Sequence, residues 1–167
     1  MNAFDRAEDD LVHRLCEDWR EIAPDPETWV RRTLDVAREL HPAAGAAAIA
    51  LADDAFVRAL NWDHRGKDRP TNVLAFPAST EAAAQGELGD IVLAYETVAR
   101  EACDIGLELH WRLVHLIIHG YLHLCGWDHQ TEAEAVRMEQ AEREVMARLG
   151  GPDPYPEVDA LARELHG

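Results

Sequence analysis

Residues 107–125, LELHWRLVHLIIHGYLHLC, constrain this chain more than any other stretch. Leu107, Trp111, Leu113, Val114, Leu116, Ile117, Ile118, Tyr121, Leu122 and Leu124 would cover almost the whole circumference of a helix. A helix that is apolar nearly all round must be buried among other elements. The fold therefore has to surround this segment. Its polar residues fall on a single ridge, Glu108, Arg112, His115, His119 and His123. Such a ridge either satisfies its polar groups internally or lines a cleft.

The rest of the chain reads as short helices and strands. PDPETW opens a helix running to about Leu40, with His41-Pro42 just past its end. AGAAAIALAD is short, apolar and bounded by turn residues, which predicts a buried strand. DDAFVRALN predicts a short helix, NWDHRGKDRPTN a loop, and VLAFP and DIVLAY two strands. ETVAREACDIG predicts a helix stopped by Gly106. Thr131 and Glu134 form a capping-box pattern for a last long helix, to about Leu149. GGPDPYP breaks the chain before a short helical tail at 157–166, and residues 1–10 are polar and loose. Leu11, Val12, Leu15, Cys16, Trp19 and Ile22 recur at helical spacing, which predicts a helix over 11–22.

With 167 residues and 47% hydrophobic content, the chain suits one domain with a substantial core. No stretch has the form of a signal peptide or a membrane span. Cys16, Cys103 and Cys125 are too scattered for a disulfide framework, so buried thiols in a reducing cytoplasm are expected. The net charge of −16 argues against nonspecific nucleic-acid binding, which depends on phosphate neutralisation. Residues 58–77 are the exception: Arg58, Arg65, Lys67 and Arg69 face only Asp63 and Asp68.

Within HGYLHLCGWDH, residues 119–129, histidines four apart share a helix face, close enough to reach one metal ion. His115, His119 and His123 allow two such pairs. Gly126 selects the second, because a left-handed glycine there turns the chain back and lets His129 join His119 and His123. Three imidazoles leave a fourth zinc position open, the arrangement of a catalytic site. The spacing also matches the metzincin ligand frame, except that Gly120 replaces the glutamate serving those peptidases as base. Ordinary glutamate-assisted peptide hydrolysis is thereby demoted. A glycine inside a helix costs about 1 kcal/mol relative to alanine, so close packing or room for a substrate should explain it.

HGYLHLCGWDH resembles the signature of the YbeY endoribonucleases, bacterial metalloproteins of ribosomal RNA maturation and ribosome quality control. LNWDHRGKDRPTNVLAFP, residues 60–77, is similar to that family's arginine-bearing loop and following strand, and GELGDIVLA, residues 86–94, to its G-D-I strand. The resemblance implies one Zn²⁺ per chain held by His119, His123 and His129, with Arg65 beside the metal. It implies an α/β (α+β) fold: a small mixed sheet of about four strands, flanked by about five helices, with the zinc helix buried at the centre. It also places a strand near residues 10–18, in conflict with the helical periodicity there, and of the two the strand is favoured. A single metal-dependent endoribonuclease domain over 1–167 is expected, with about 1–9 and 151–167 peripheral.

The expected reaction is zinc-dependent cleavage of single-stranded RNA, including 3′-end processing of 16S rRNA. The expected partners are rRNA and the small ribosomal subunit, in the cytoplasm, with neither membrane nor DNA. Arg65 would clamp the scissile phosphate through its planar fork, with Lys67 and Arg69 as auxiliary contacts. Without a glutamate at 120, the proton acceptor is open between zinc-bound hydroxide, the RNA 2′-hydroxyl and His115, and His115 is equally well read as a supporting core histidine. Two rival readings fit the residues: a zinc hydrolase acting on another substrate, and a non-catalytic ribosome-assembly factor.

Overall fold

The computed structural model describes residues 10–65 and 71–155, with backbone only at 64 and 65. Four strands, β1 (Leu11–Arg14), β2 (Ala46–Ala52), β3 (Val73–Pro77) and β4 (Glu87–Ala94), form one sheet in the order β1-β2-β4-β3. β1, β2 and β4 run parallel, while β3 pairs antiparallel with β4 at the edge. The described helices are α1 (Pro26–Leu40), α2 (Asp54–Arg65), α3 (Thr80–Ala84), α4 (Tyr95–Ile105), α5 (Leu109–Leu124) and α6 (Glu132–Arg148). This is the mixed-sheet α+β architecture expected, with one short helix more.

Strand alternation divides the core. On β4, Ile91 and Leu93 join the main cluster with Ile49 and Leu51 of β2, whereas Val92 and Ala94 join Val57 and Leu74 in a second cluster involving α2. α5 contributes Leu113, Val114, Ile117, Ile118, Tyr121 and Leu122 to the main cluster, all fully buried. Burying each such side chain contributes roughly 1.5–3 kcal/mol. α5 contacts α1, α4, α6, β3 and β4, which is the surrounded position its sequence demands.

Several elements differ from their sequence reading. Residues 11–22 form not the helix of their periodicity but the strand that the family resemblance favoured, here four residues long, followed by a 3-10 turn, Glu17–Glu21, that buries Trp19. β1 is recruited by backbone pairing with β2, so the helical spacing there is coincidental. Asp10, in a segment read as loose, is buried: Arg38 Nη2 and the Ala47 N–H each donate to its Oδ1 at 2.7 Å. α2 runs on to Arg65, so residues 61–65 are helical rather than loop, with Asn61 buried under the helix and Trp62 exposed. The alanine-rich connection contains α3, capped by Ser79. The thiols are not uniformly buried, since Cys103 is exposed and Cys16 and Cys125 are half-buried, all unpaired. The tail predicted at 157–166 lies outside the described residues.

Candidate metal centre

His119 and His123 stand one turn apart near the end of α5. The helix stops because Gly126 adopts a left-handed φ of 93°. Gly126 N–H donates to the His123 carbonyl at 3.0 Å and Trp127 N–H to the Leu122 carbonyl at 2.9 Å, the paired bonds of a Schellman C-cap. The capping box at Thr131 and Glu134 then starts α6. Between these two caps the chain carries His129 back to the pair. Its ring centroid lies 5.4 Å from that of His119 and 5.1 Å from that of His123. One ring nitrogen from each histidine lies within 4.8 Å of the others, the metal-competent cluster found among the described residues.

Neighbouring groups set the tautomers. The Trp127 carbonyl can only accept, so His123 Nδ1–H donates to it, at 3.0 Å. Glu142, on α6, is 1% exposed and its Oε2 accepts from His119 Nδ1–H at 3.1 Å. In the neutral rings both protons are thus on Nδ1, and the two Nε2 lone pairs confront each other 3.0 Å apart. Facing lone pairs this close repel unless a metal ion or a proton lies between them. The donor set therefore fits a bound metal, with a carboxylate and a backbone carbonyl orienting the imidazoles in the manner usual for zinc ligands. Desolvation, followed by the neighbouring His119 and His129, lowers the His123 pKa and keeps its ring neutral for ligation.

His115 is buried and sits behind this pair. Arg112 Nη1 can only donate, so His115 Nδ1 accepts from it, at 3.1 Å, and His115 Nε2–H donates to Glu142 Oε1 at 2.6 Å. Burial lowers the His115 pKa. Burial by itself would raise the Glu142 carboxyl, but hydrogen bonds from His115, His119 and Tyr155 outweigh it and hold the group well below the carboxylate range. Arg112 Nη2 continues the network to Glu101 Oε1 at 2.9 Å, which also accepts from Asn72 Nδ2 at 3.0 Å. A cleft of about 440 Å³ opens beside the centre, lined by Asn72, Glu101, Arg112, His115, His119 and Tyr155 among others.

Arg65 is the last residue of α2. Its side chain, Lys67 and Arg69 lie outside the described residues. Gly120 is explained by packing: a Cβ there would lie 3.0 Å from Ile91 Cγ2 and 3.1 Å from its Cδ1. It faces the sheet, so it is not making room for substrate.

Sequence reasoning missed Glu142, although a signal was present. Met138, Ala141, Val145 and Met146 form the buried stripe of α6, and Glu142 sits inside that stripe. A carboxylate at an apolar position of an amphipathic helix requires a buried partner.

Fold and site together define a class: an α+β domain whose central helix, with the turn after it, brings together three histidines that could hold a metal ion, one of them lining an open cleft. The sequence model for Endoribonuclease YbeY matches residues 15–150. The chain is 46% identical over 155 residues to Endoribonuclease YbeY of Rhodopseudomonas palustris (strain HaA2), covering 86% of this chain and 80% of that protein. It is 45% identical over 156 residues to the Endoribonuclease YbeY of Bradyrhizobium sp. (strain BTAi1 / ATCC BAA-1182), covering 88% and 92% respectively. The chain belongs to the endoribonuclease YbeY family. The solution structure of TM1509 from Thermotoga maritima shares its fold, with a TM-score of 0.53 and 22% identity over 87% of this chain and 99% of that one. No described helix is long and apolar enough to cross a membrane.

Proposed function

We propose that this chain is a zinc-dependent endoribonuclease that cleaves single-stranded RNA. Its substrate would be ribosomal RNA, including the 3′ end of 16S rRNA, in maturation and ribosome quality control. The partner would be the small ribosomal subunit, in the cytoplasm, and the whole chain would serve as one catalytic domain. The observation that carries the reading is the pair of Nε2 atoms 3.0 Å apart with His129 beside them, in a chain of this family. Zinc held by His119, His123 and His129 would supply Lewis acidity to a phosphoryl oxygen and to water.

The chain's own residues then orient the RNA. Arg65, at the end of α2, would grip the scissile phosphate through two N–H groups and stabilise the charge that develops on it. Lys67 and Arg69 hold neighbouring phosphates. Both ring nitrogens of His115 are engaged, by Arg112 and Glu142, so its role is to hold Glu142 rather than to take a proton from RNA. The strongly acidic remainder of the surface repels random RNA and leaves recognition to the cleft.

The test pairs metal analysis with cleavage of a defined single-stranded RNA and its duplex, each with and without chelator. One zinc per chain and chelator-sensitive cleavage of the single strand are expected. Metal-loaded protein that binds small ribosomal subunits but never cuts RNA would replace this reading with an assembly factor. Chelator-sensitive peptide cleavage without RNA cleavage would replace it with a different hydrolase.

A further inference from the structure

The segment after α6 is built against the metal centre. A Cβ on Gly151 would lie 2.6 Å from Met146 Sδ and 2.7 Å from Trp111 Cζ3, so only glycine lets the backbone pass this close. Gly151 N–H donates to the Met146 carbonyl at 3.0 Å. Arg143 of α6 pairs with Asp153 at 3.1 Å, and Asp153 Oδ1 accepts from the Tyr155 N–H at 2.8 Å. The chain thus doubles back along α6 and delivers Tyr155 to Glu142. The phenol donates to Glu142 Oε1 at 2.6 Å, while its ring stands edge-on to His115 with centroids 5.3 Å apart.

Glu142 Oε1 consequently accepts two short bonds, from Tyr155 and His115, and Oε2 accepts one from His119. A glutamate side chain left to itself rotates its carboxylate broadly. Two donors on one oxygen restrict that plane and so fix where the other oxygen lies. We infer that Tyr155 is a positioning residue of the metal centre: with His115 it locks the Glu142 carboxylate, which holds His119 with its proton on Nδ1 and its lone pair on Nε2. The inference rests on the reading of His119 as a metal ligand. It gives the PDPY segment a task in the site, where the sequence pattern suggested only a chain break.

The experiment uses the full chain and three variants: Tyr155→Phe, Glu142→Ala and Tyr95→Phe. The last removes another tyrosine–glutamate bond, 2.6 Å to Glu21 and outside the site, and so controls for general loss of stability. Zinc affinity is read by competition with a chelator, and the His119 tautomer from imidazole ¹⁵N shifts in metal-free protein. Glu142→Ala should weaken zinc binding about 10–100-fold, and Tyr155→Phe, one bond further from the ligand, about 3–10-fold. Tyr95→Phe should leave it unchanged. Tyr155→Phe should also lower the fraction of His119 rings that carry a proton on Nδ1, the atom that Glu142 holds. Wild-type affinity together with an unchanged tautomer in Tyr155→Phe overturns the inference, as does equal weakening by Tyr95→Phe. Wild-type protein that takes up no zinc overturns the proposed function, while the tautomer measurement, made without metal, judges the positioning role separately.

Discussion

The Nε2 atoms of His119 and His123 lie 3.0 Å apart, and each ring's other nitrogen is already committed to an acceptor. Two such lone pairs repel unless a cation lies between them. His119→Ala, His123→Ala and His129→Ala should therefore each cut zinc content sharply, whereas His115→Ala should retain far more metal. Zinc-to-protein ratios after gel filtration decide the matter. A His115→Ala protein that is empty beside a His129→Ala protein that is full would mean the ligand set is wrong.

Metal removal should also lower stability. A ligand that binds only the folded state stabilises it by about 2.7 kcal/mol at a hundred times its Kd. Chelator should lower the melting temperature of the wild-type chain and leave that of His119→Ala unmoved. Calorimetric scans with and without chelator make the comparison, and equal shifts in both proteins would count against His119 as a ligand.

Gly120 makes a different kind of prediction, because it faces Ile91 rather than the cleft. Gly120→Leu should destabilise the fold by about 1–3 kcal/mol through overpacking, and Ile91→Ala in the same chain should recover part of the loss. Gly120→Glu restores the metzincin pattern on paper but would drive a carboxylate into the core, with a cost of several kcal/mol. It should yield a poorly folded protein with no peptidase activity. Urea denaturation of the variants, with a peptide-cleavage assay on whatever folds, tests both halves.

Asp10 ties β1 to α1 and β2 through Arg38 and the Ala47 N–H. Asp10→Ala leaves that arginine and that amide without their acceptor and should cost about 3 kcal/mol. Asp10→Asn keeps an oxygen for the amide and should cost less. A chemical-denaturation series in which alanine and asparagine are equally mild would remove the pair from the account of stability.

The parts legible in the sequence are those specified by local pattern. α5 was readable because a helix apolar on nearly every side has only one place to go, and its end at Gly126 because a glycine separated the second and third histidines. β1 was not readable from its own residues. Four positions are too few to show alternation, and Leu11, Leu15 and Trp19 mimic a helical stripe until β2 supplies the pairing partner. The continuation of α2 to Arg65 was hidden because NWDHR has no apolar period, although Asn61 is buried. Glu142 was the most serious omission: its partners His119 and His115 lie 23 and 27 residues away, so no spacing rule connects them.

Arg65 carries the last prediction. It closes α2, an element that packs against β3, β4 and α4, while the histidines belong to α5 and the turn after it. A residue delivered from a separate element should serve the chemistry without holding the metal. Arg65→Ala should keep its zinc and its melting temperature but lose RNA cleavage by about 10²–10³ in rate, the usual cost of removing one transition-state charge contact. Arg65→Lys should recover only part of that, since an ammonium cannot make the two parallel bonds of a guanidinium to phosphate. Arg65→Glu should fall below alanine, because a carboxylate repels the phosphate it replaces the grip on. The measurement is the cleavage rate per zinc-loaded molecule across the three variants on one single-stranded substrate. Equal rates for wild type and Arg65→Ala would take the arginine out of the mechanism, and a loss of zinc in Arg65→Ala would place it in the metal centre instead.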